Sequence, residues 1–247
     1  ERDCVVVALG GGCVGDLAGF AAATYMRGVQ VVQVPTTLLS MVDSSVGGKT
    51  GVNLSAGKNL VGAFKQPAFV CADTEVLATL PAREWACGCG EVAKTALIDG
   101  DEFFFWLSDQ ASAVVDRQPD AVSEAIARCV VFKADVVAQD KTESRGVREC
   151  LNYGHTLAHV IEKISGYGTY SHGHAVAEGM RFAARMGMRL ADMPVELAQA
   201  QGQLLDDLGL PELGWEASPA QVLDVMKRDK KARHGQVRFV CLHDVGQ

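Results

Sequence analysis

The sequence lacks the features that mark several large classes of protein. It has no basic excess: 23 Lys and Arg against 30 Asp and Glu leave a formal charge of -7. That excludes a general nucleic-acid binder, whose surface must displace counterions from phosphate. No apolar run approaches the roughly 20 residues of a membrane span, so no membrane partner is expected. No Cys-x-x-Cys pair occurs among the eight cysteines, at 4, 13, 71, 87, 89, 129, 150 and 241. Scattered through apolar segments and without a secretory leader, they read as reduced thiols of a cytoplasmic protein, mostly small core residues. Internal repeats and low-complexity tracts are absent as well. Charged residues make up only 21% of the 247, whereas 48% are hydrophobic, which suits a compact globular protein of one or two domains with ample core. The chain enters a buried-looking strand almost at once after Glu1, and a preceding N-terminal portion is expected.

Periodicity divides the chain in two. CVVVAL (4–9) and VQVVQVP (29–35) are short β-branched runs separated by DLAGFAAATYM (16–26), which has helical character. Strand, helix and strand with short connections imply a βαβ unit and a parallel sheet. Thr36 and Thr37 can cap a helix over TLLSMV; the glycine-rich stretch 47–62 reads as a loop and AFVCAD (68–73) as one more strand. From about Pro81 onward five long segments carry apolar residues at helical spacing, and only QVRFVCL (236–242) looks like a strand. The expected organisation is an α/β domain over residues 1–80 and a mainly α-helical domain over 81–247, with the boundary at Thr79-Leu80-Pro81.

Two glycine-rich stretches suggest anion binding. VDSSVGGKTGV (42–52) ends like a Walker A loop, but the position four residues before Gly48-Lys49-Thr50 that should be glycine is not; it is Asp43. A lysine on a glycine hinge remains, followed by a second at Gly57-Lys58-Asn59. Gly10, Gly12 and Gly15 satisfy G-x-G-x-x-G after the first strand, where backbone amides and a helix N-terminus can meet a pyrophosphate. The acid that a Rossmann site places at the end of its second strand is missing; Gln33, Val34 and Pro35 stand there. The stretch is therefore either a plain strand-to-helix turn or a dinucleotide site of non-standard form.

Four of the six histidines fall between 155 and 174: His155, His159, His172 and His174. His155 and His159, four apart, project from one face of a helix, a spacing that holds a metal or builds a polar cleft wall. Asn152 and Arg148 extend that stripe. Inward-facing polar groups need partners, since each costs about 1–3 kcal/mol if left unsatisfied. Paired as ligands, His155 and His159 would require a third, and Glu91 in CGCGEVAKTAL is the best candidate, with Lys94 one turn away. The bland readings are satisfied core or surface histidines and a surface Glu–Lys pair.

Five long segments, in order along the chain, resemble a known family: GGGCVGDLAGFAAATYMRG (10–28), QVPTTLLSMVDSSVGGKTGVNLSAGKNLVGAF (33–64), GEVAKTALI (90–98), LNYGHTLAHVIE (151–162) and SHGHAVAEGM (171–180). In these the chain is similar to 3-dehydroquinate synthase, of the sugar-phosphate cyclase group. The resemblance implies an NAD-binding α/β domain and a helical metal domain with the active site in the cleft between them. It implies cyclisation of 3-deoxy-D-arabino-heptulosonate 7-phosphate to 3-dehydroquinate with loss of phosphate, NAD being regenerated each turnover. By position it implies that Glu91, His155 and His172 hold Zn2+ or Co2+, which makes His159 a site residue and not a ligand. Asp43, Lys49, Lys94, Lys133, Arg148, Asn152 and His159 match residues around the substrate, as do Lys58 and Asn59. In KRDKK, Lys230 or Lys231 is expected to reach the site. Gly11, Gly12, Gly15, Asp16, Thr36, Thr37 and Thr79 match NAD-contacting segments, with Lys49 and Lys58 counted there too. Arg27 matches a residue that reaches a neighbouring subunit's phosphate, so a homodimer is implied. On this reading Lys49 and Lys58 hold the carboxylate and phosphate of a sugar acid, whose roughly three negative charges call for several cations.

Three departures from the family pattern stand out. His172-Gly173-His174 replaces the usual His-Gly-Glu, which bears on whatever orients His172. The loop DKTESRGVR (140–148) is one residue longer than in the family and lacks the acid that the family places after Asp140. The family's N-terminal region, which helps to hold the adenosine half of NAD, does not precede Glu1. The rival readings are a sister cyclase or an NAD- and metal-dependent polyol dehydrogenase of the same superfold, and a catalytically silent fragment.

Overall fold

The computed structural model describes residues 3–54, 57–227 and 237–247. These fall into two compact units, one formed by residues 1–88 and 117–147, the other by 89–116 and 148–247.

The first unit is α/β. Strand β1 (Val5–Gly10) pairs in parallel with β2 (Gln30–Pro35), from Val5 opposite Gln30 to Gly10 opposite Pro35. Helix α1 (Gly12–Thr24) makes the crossover. Val6 turns inward against Ala22, Val29 and Val31, while Val5, Val7 and Leu9 alternate outward and are exposed. The strand that reads as buried is thus buried on one face, because it is an edge strand paired with β2 alone among the described residues. The expected strand over 68–73 is reduced to two residues, β5 (Phe69–Val70), parallel to β2.

The stretch 47–62 is not a loop. Strands β3 (Lys49–Leu54) and β4 (Gly57–Phe64) form an antiparallel hairpin with Gly51 opposite Gly62 and Val52 opposite Val61. The β-branched Thr50, Val52 and Val61 supply the strand character that the glycine count conceals. Before it, Thr37 caps the next turn through its hydroxyl, 3.1 Å from the Ser40 amide. The helical turn then widens into a five-residue π-helix over Ser40–Ser44, an arrangement frequent at functional sites. After a 3-10 stretch (Thr74–Thr79), helix α2 (Ala82–Asp99) starts just past Pro81. The long helix α4 (Pro119–Gln139) completes the unit.

The second unit is all helical among its described residues. It comprises the end of α2, α3 (Asp101–Val115), α5 (His155–Ile164), α6 (His172–Leu190), α7 (Val195–Asp207) and α8 (Pro219–Lys227), with a 3-10 turn over Val147–Asn152. Its core includes Phe103, Leu107, Val160, Ile161, Val176, Met180, Leu204 and Leu205. The strand expected over 236–242 does not form at 237–242: an apolar β-branched run needs a partner edge, and no strand lies in this unit's described residues. Of the eight cysteines, only Cys87, Cys89 and Cys129 are buried. Cys4, Cys13 and Cys71 are exposed: Cys4 and Cys71 flank β1 and β5, and Cys13 lies in the first turn of α1 away from the core. No described helix is long and apolar enough to cross a membrane.

A candidate metal centre and its neighbours

The helical unit brings three side chains from three helices together. Glu91 is 1% exposed in the middle of α2, His155 is the first residue of α5, and His172 the first of α6. Two close backbone contacts set this up. A Cβ on Gly90 would lie 2.7 Å from the Cα and the carbonyl oxygen of Gly173, so α2 and α6 meet backbone to backbone beside Glu91 and His172. Gly154, in the left-handed region with φ 77°, starts α5 and touches Gly179 of α6 so closely that a Cβ there would collide with its carbonyl oxygen. Tyr153 reinforces the corner: its hydroxyl donates to Gln201 Oε1 at 2.7 Å, and Gln201 Nε2 donates to the Met180 carbonyl at 2.9 Å.

Glu91 Oε1 stands 3.4 Å from His155 Nε2 and 3.4 Å from His172 Nε2, and one donor atom from each of the three residues lies within 4.8 Å of the others. Metal–ligand bonds of about 2.0–2.1 Å at tetrahedral angles separate donor atoms by about 3.3 Å. Oε1 is fully buried and lacks a hydrogen bond of ordinary geometry, so it is placed as a co-ligand of the two imidazoles. The other oxygen, Oε2, is ion-paired with Lys94, which is 2% exposed. The residues present fit a divalent cation.

Burial and neighbouring charges set the protonation of each group in the metal-free cluster. Burial raises the Glu91 pKa, but Lys94, then His155 and His172, outweigh it and hold the carboxyl well below its usual range. Burial drives His155 down to about 3 against the pull of Glu91, so it is a neutral imidazole, the form that ligates metal. Burial also opposes charge on His172, yet Glu162 and Glu91 override it and push its pKa up to about 10.

The other expected residues of this unit surround the cluster in sequence. Arg148 is buried in the 3-10 turn that Asn152 ends, and His159 follows one turn after His155, ring centroids 5.8 Å apart. His159 stands outside the ligand cluster, so the pairing with His155 that spacing alone suggests is not the one the fold makes.

The α/β unit gathers a second group. On α4, Lys133 reaches Asp43 of the π-helix, Nζ to Oδ1 2.7 Å, and also donates to the Asp43 carbonyl. Asp16 in α1 is pushed up to about 6 by burial and by Asp43, with Lys133 opposing. Lys49 opens β3 and pairs with Glu143 at 2.8 Å. Gly11 caps α1, which carries no side chain on its free amides and no acid in its first turn. A Cβ at Gly11 would come 3.2 Å from Thr37, at Gly12 3.0 Å from Ser44 Oγ, and at Gly15 2.7 Å from Gln33 Oε1, so the start of α1 packs closely on these side chains. Thr36 donates its amide to Gly10, Thr79 ends its 3-10 stretch, and Arg27 lies on an exposed turn with φ 68°. Lys58 and Asn59 fall on β4, but their side chains lie outside the described residues, as do Lys230 and Lys231.

Four contributors went unread in the sequence. Glu162 sits on the stripe that runs through His155 and His159, and spacing could have found it. Glu143 pairs with Lys49 from the lengthened loop, which Asp140 anchors by accepting the Ser144 and Arg145 amides. The third is the Gly90–Gly173 contact. The fourth is Ser171, which caps α6 and stands 2.7 Å from His174 Nδ1. His174 is thus engaged with the helix cap, while the group beside His172 Nδ1 is Glu162.

Comparison with known proteins supplies the remaining constraint. Residues 1–87 match the profile of the 3-dehydroquinate synthase N-terminal region and residues 88–232 that of its C-terminal region. The chain belongs to the 3-dehydroquinate synthase family. It is 50% identical over 247 residues to the 3-dehydroquinate synthase of Rhodopirellula baltica, covering all of this chain and 66% of that one. The chain therefore spans about two thirds of that relative's length. Among solved structures, 2-deoxy-scyllo-inosose synthase complexed with carbaglucose-6-phosphate, NAD+ and Co2+ superposes with a TM-score of 0.89 at 32% identity, over 100% of this chain and 68% of that one. The 2-epi-5-epi-valiolone synthase of Streptomyces hygroscopicus, with NAD+ and Zn2+ bound, gives 0.87 at 27% identity, over 97% and 67%. The fold is that of the dehydroquinate synthase-like enzymes, an α/β part followed by a helical part.

Proposed function

We propose that the protein is a 3-dehydroquinate synthase, a phosphate-eliminating cyclase that converts 3-deoxy-D-arabino-heptulosonate 7-phosphate to 3-dehydroquinate with NAD and Zn2+ or Co2+, acting as a cytoplasmic homodimer. The observation that carries the reading is the Glu91–His155–His172 cluster with Lys94 at its back, in a chain of this family. The convergence of the three donor atoms within 4.8 Å of one another supports this reading beyond family membership alone.

Glu91, His155 and His172 would hold the cation, which would supply Lewis acidity toward a substrate hydroxyl and carbonyl. Lys94 keeps Glu91 ionised and presents an ammonium beside the cluster. Arg148, Asn152 and His159, on the stretch that leads into and through α5, are assigned to the substrate's hydroxyls and anionic groups. In the α/β unit Asp43 and Lys133 fix each other, so the carboxylate can accept a hydrogen bond without moving. Lys49 already holds an anion, Glu143, which the substrate's carboxylate or phosphate would displace; Lys58, Asn59, Lys230 and Lys231 are assigned to the same anionic groups. Gly11, Gly12 and Gly15 at the start of α1, with Asp16, Thr36, Thr37 and Thr79, are assigned to NAD, a reversible hydride acceptor. Arg27 is assigned to the neighbouring subunit's site.

The test is phosphate release from the heptulosonate phosphate by the protein supplied with NAD and Zn2+, with absorbance of NADH followed in parallel. Phosphate release with no net NADH is expected. Steady NADH growth with a polyol, or no phosphate release beside full metal and NAD binding, overturns the assignment.

A further inference from the structure

The two imidazoles of the cluster are oriented by different groups. His155 turns Nδ1 to the Tyr153 carbonyl, 3.1 Å away, and so presents Nε2 to Glu91. His172 also presents Nε2 to Glu91, while its Nδ1 stands 3.5 Å from Oε1 of Glu162, whose side chain is only 11% exposed. A ligating imidazole needs an acceptor on its other nitrogen to fix ring rotation and tautomer. From the distances on both sides of the ring we infer that Glu162 is the positioning residue of His172, holding the proton on Nδ1 so that Nε2 is offered to the cation. The inference rests on the metal reading above. Glu162 reaches this place because it lies seven residues, two helical turns, after His155, on one face of α5. A single helix thereby supplies one ligand and orients another that belongs to α6. The position that departs from the family pattern, His174, is engaged with Ser171.

Zn2+ titration of the chain against a chromophoric chelator tests the inference, with the Co2+ absorption spectrum as the readout of coordination geometry. Glu162→Ala is expected to weaken Zn2+ binding by about 10–100-fold and to alter the Co2+ spectrum. Glu162→Gln, whose amide oxygen still accepts from Nδ1, is expected to retain affinity within a few-fold and a near-native spectrum. Far-UV circular dichroism and the melting point of each metal-free variant show whether the fold is intact. Native Zn2+ affinity and Co2+ spectrum in Glu162→Ala would overturn the role of Glu162 and leave the metal reading standing. An equal loss in Glu162→Gln would assign the effect to charge and overturn the orienting role. Absence of binding by the unsubstituted chain would overturn both.

Discussion

Gly90→Ala is the most revealing single change, because it adds one methyl group where two helices touch backbone to backbone. The new Cβ would lie 2.7 Å from the Gly173 Cα and carbonyl oxygen. Carbon–carbon contacts become favourable only from about 3.5 Å, so α2 and α6 must separate locally by about 0.8 Å. A metal site tolerates errors of about 0.2 Å in its donor positions. The ligands flanking this contact, Glu91 and His172, sit one residue beyond Gly90 and one before Gly173, and cannot escape the displacement. Zn2+ affinity is expected to fall by about 100-fold or more. Fold stability should change far less. Overpacking costs about 1–3 kcal/mol, whereas replacing a mid-helix glycine returns about 0.5–1 kcal/mol. The metal-free protein should therefore melt only a few degrees lower, at about 2–4 °C per kcal/mol for a chain of this size. Gly202→Ala is the control, since nothing lies within 4 Å of a Cβ added there on α7; it should leave zinc binding alone and raise stability slightly. Competition titration with a chelator gives the affinities, and calorimetry the melting points. Native zinc affinity in Gly90→Ala would refute the argument that this contact sets the ligand geometry.

Two further outcomes follow from the site. Without metal, His172 is protonated up to about pH 10, while His155 stays neutral down to about pH 3 and Glu91 is ionised; zinc uptake at about pH 7.5 must therefore release about one proton from the triad, read with a pH indicator in weak buffer, and release of none would show that His172 does not ligate. Tyr153→Phe strips the buried Gln201 Oε1 of its donor, so the melting point should drop by the equivalent of about 1–3 kcal/mol. Zinc affinity should hold within a few-fold in that variant, because His155 is oriented by the Tyr153 carbonyl and not by its hydroxyl.

The helices were legible because their signal is local. Apolar spacing marks α2, α4, α6 and α7 directly, and it marks α5 apart from its break at Gly154, where a left-handed residue separates it from the 3-10 turn carrying Arg148 and Asn152. The β3–β4 hairpin was hidden because five glycines in 47–62 read as loop, and a ladder depends on the partner strand, not on the run itself. The same dependence misleads at the other end of the chain. RFVCL has the composition of a strand, yet residues 237–242 have no described strand beside them to supply hydrogen bonds.

For the candidate site, the sequence names the ligand types but not the geometry that selects among them. Spacing along one helix favours His155 with His159, since a four-residue interval is the only proximity a sequence displays. The fold brings in His172 instead, from the first turn of a different helix, and Glu91 from 81 residues before it. Neither approach can be read from the ligands themselves, because it depends on Gly90 and Gly173, which carry no chemistry of their own. A glycine adjacent to a buried carboxylate in mid-helix is locally unfavourable by about 0.5–1 kcal/mol, and that cost is a readable signal once its cause is known. CGCGEV places a small residue at each of four positions before Glu91 and Val92, on a helix that could have used alanine throughout. The absence of side chains there is what lets the carboxylate stand 3.4 Å from two imidazoles. The same holds at Gly154 and Gly179, where the start of α5 is pressed onto α6. The metal centre is thus specified as much by where this chain omits a Cβ as by where it places a carboxylate or an imidazole.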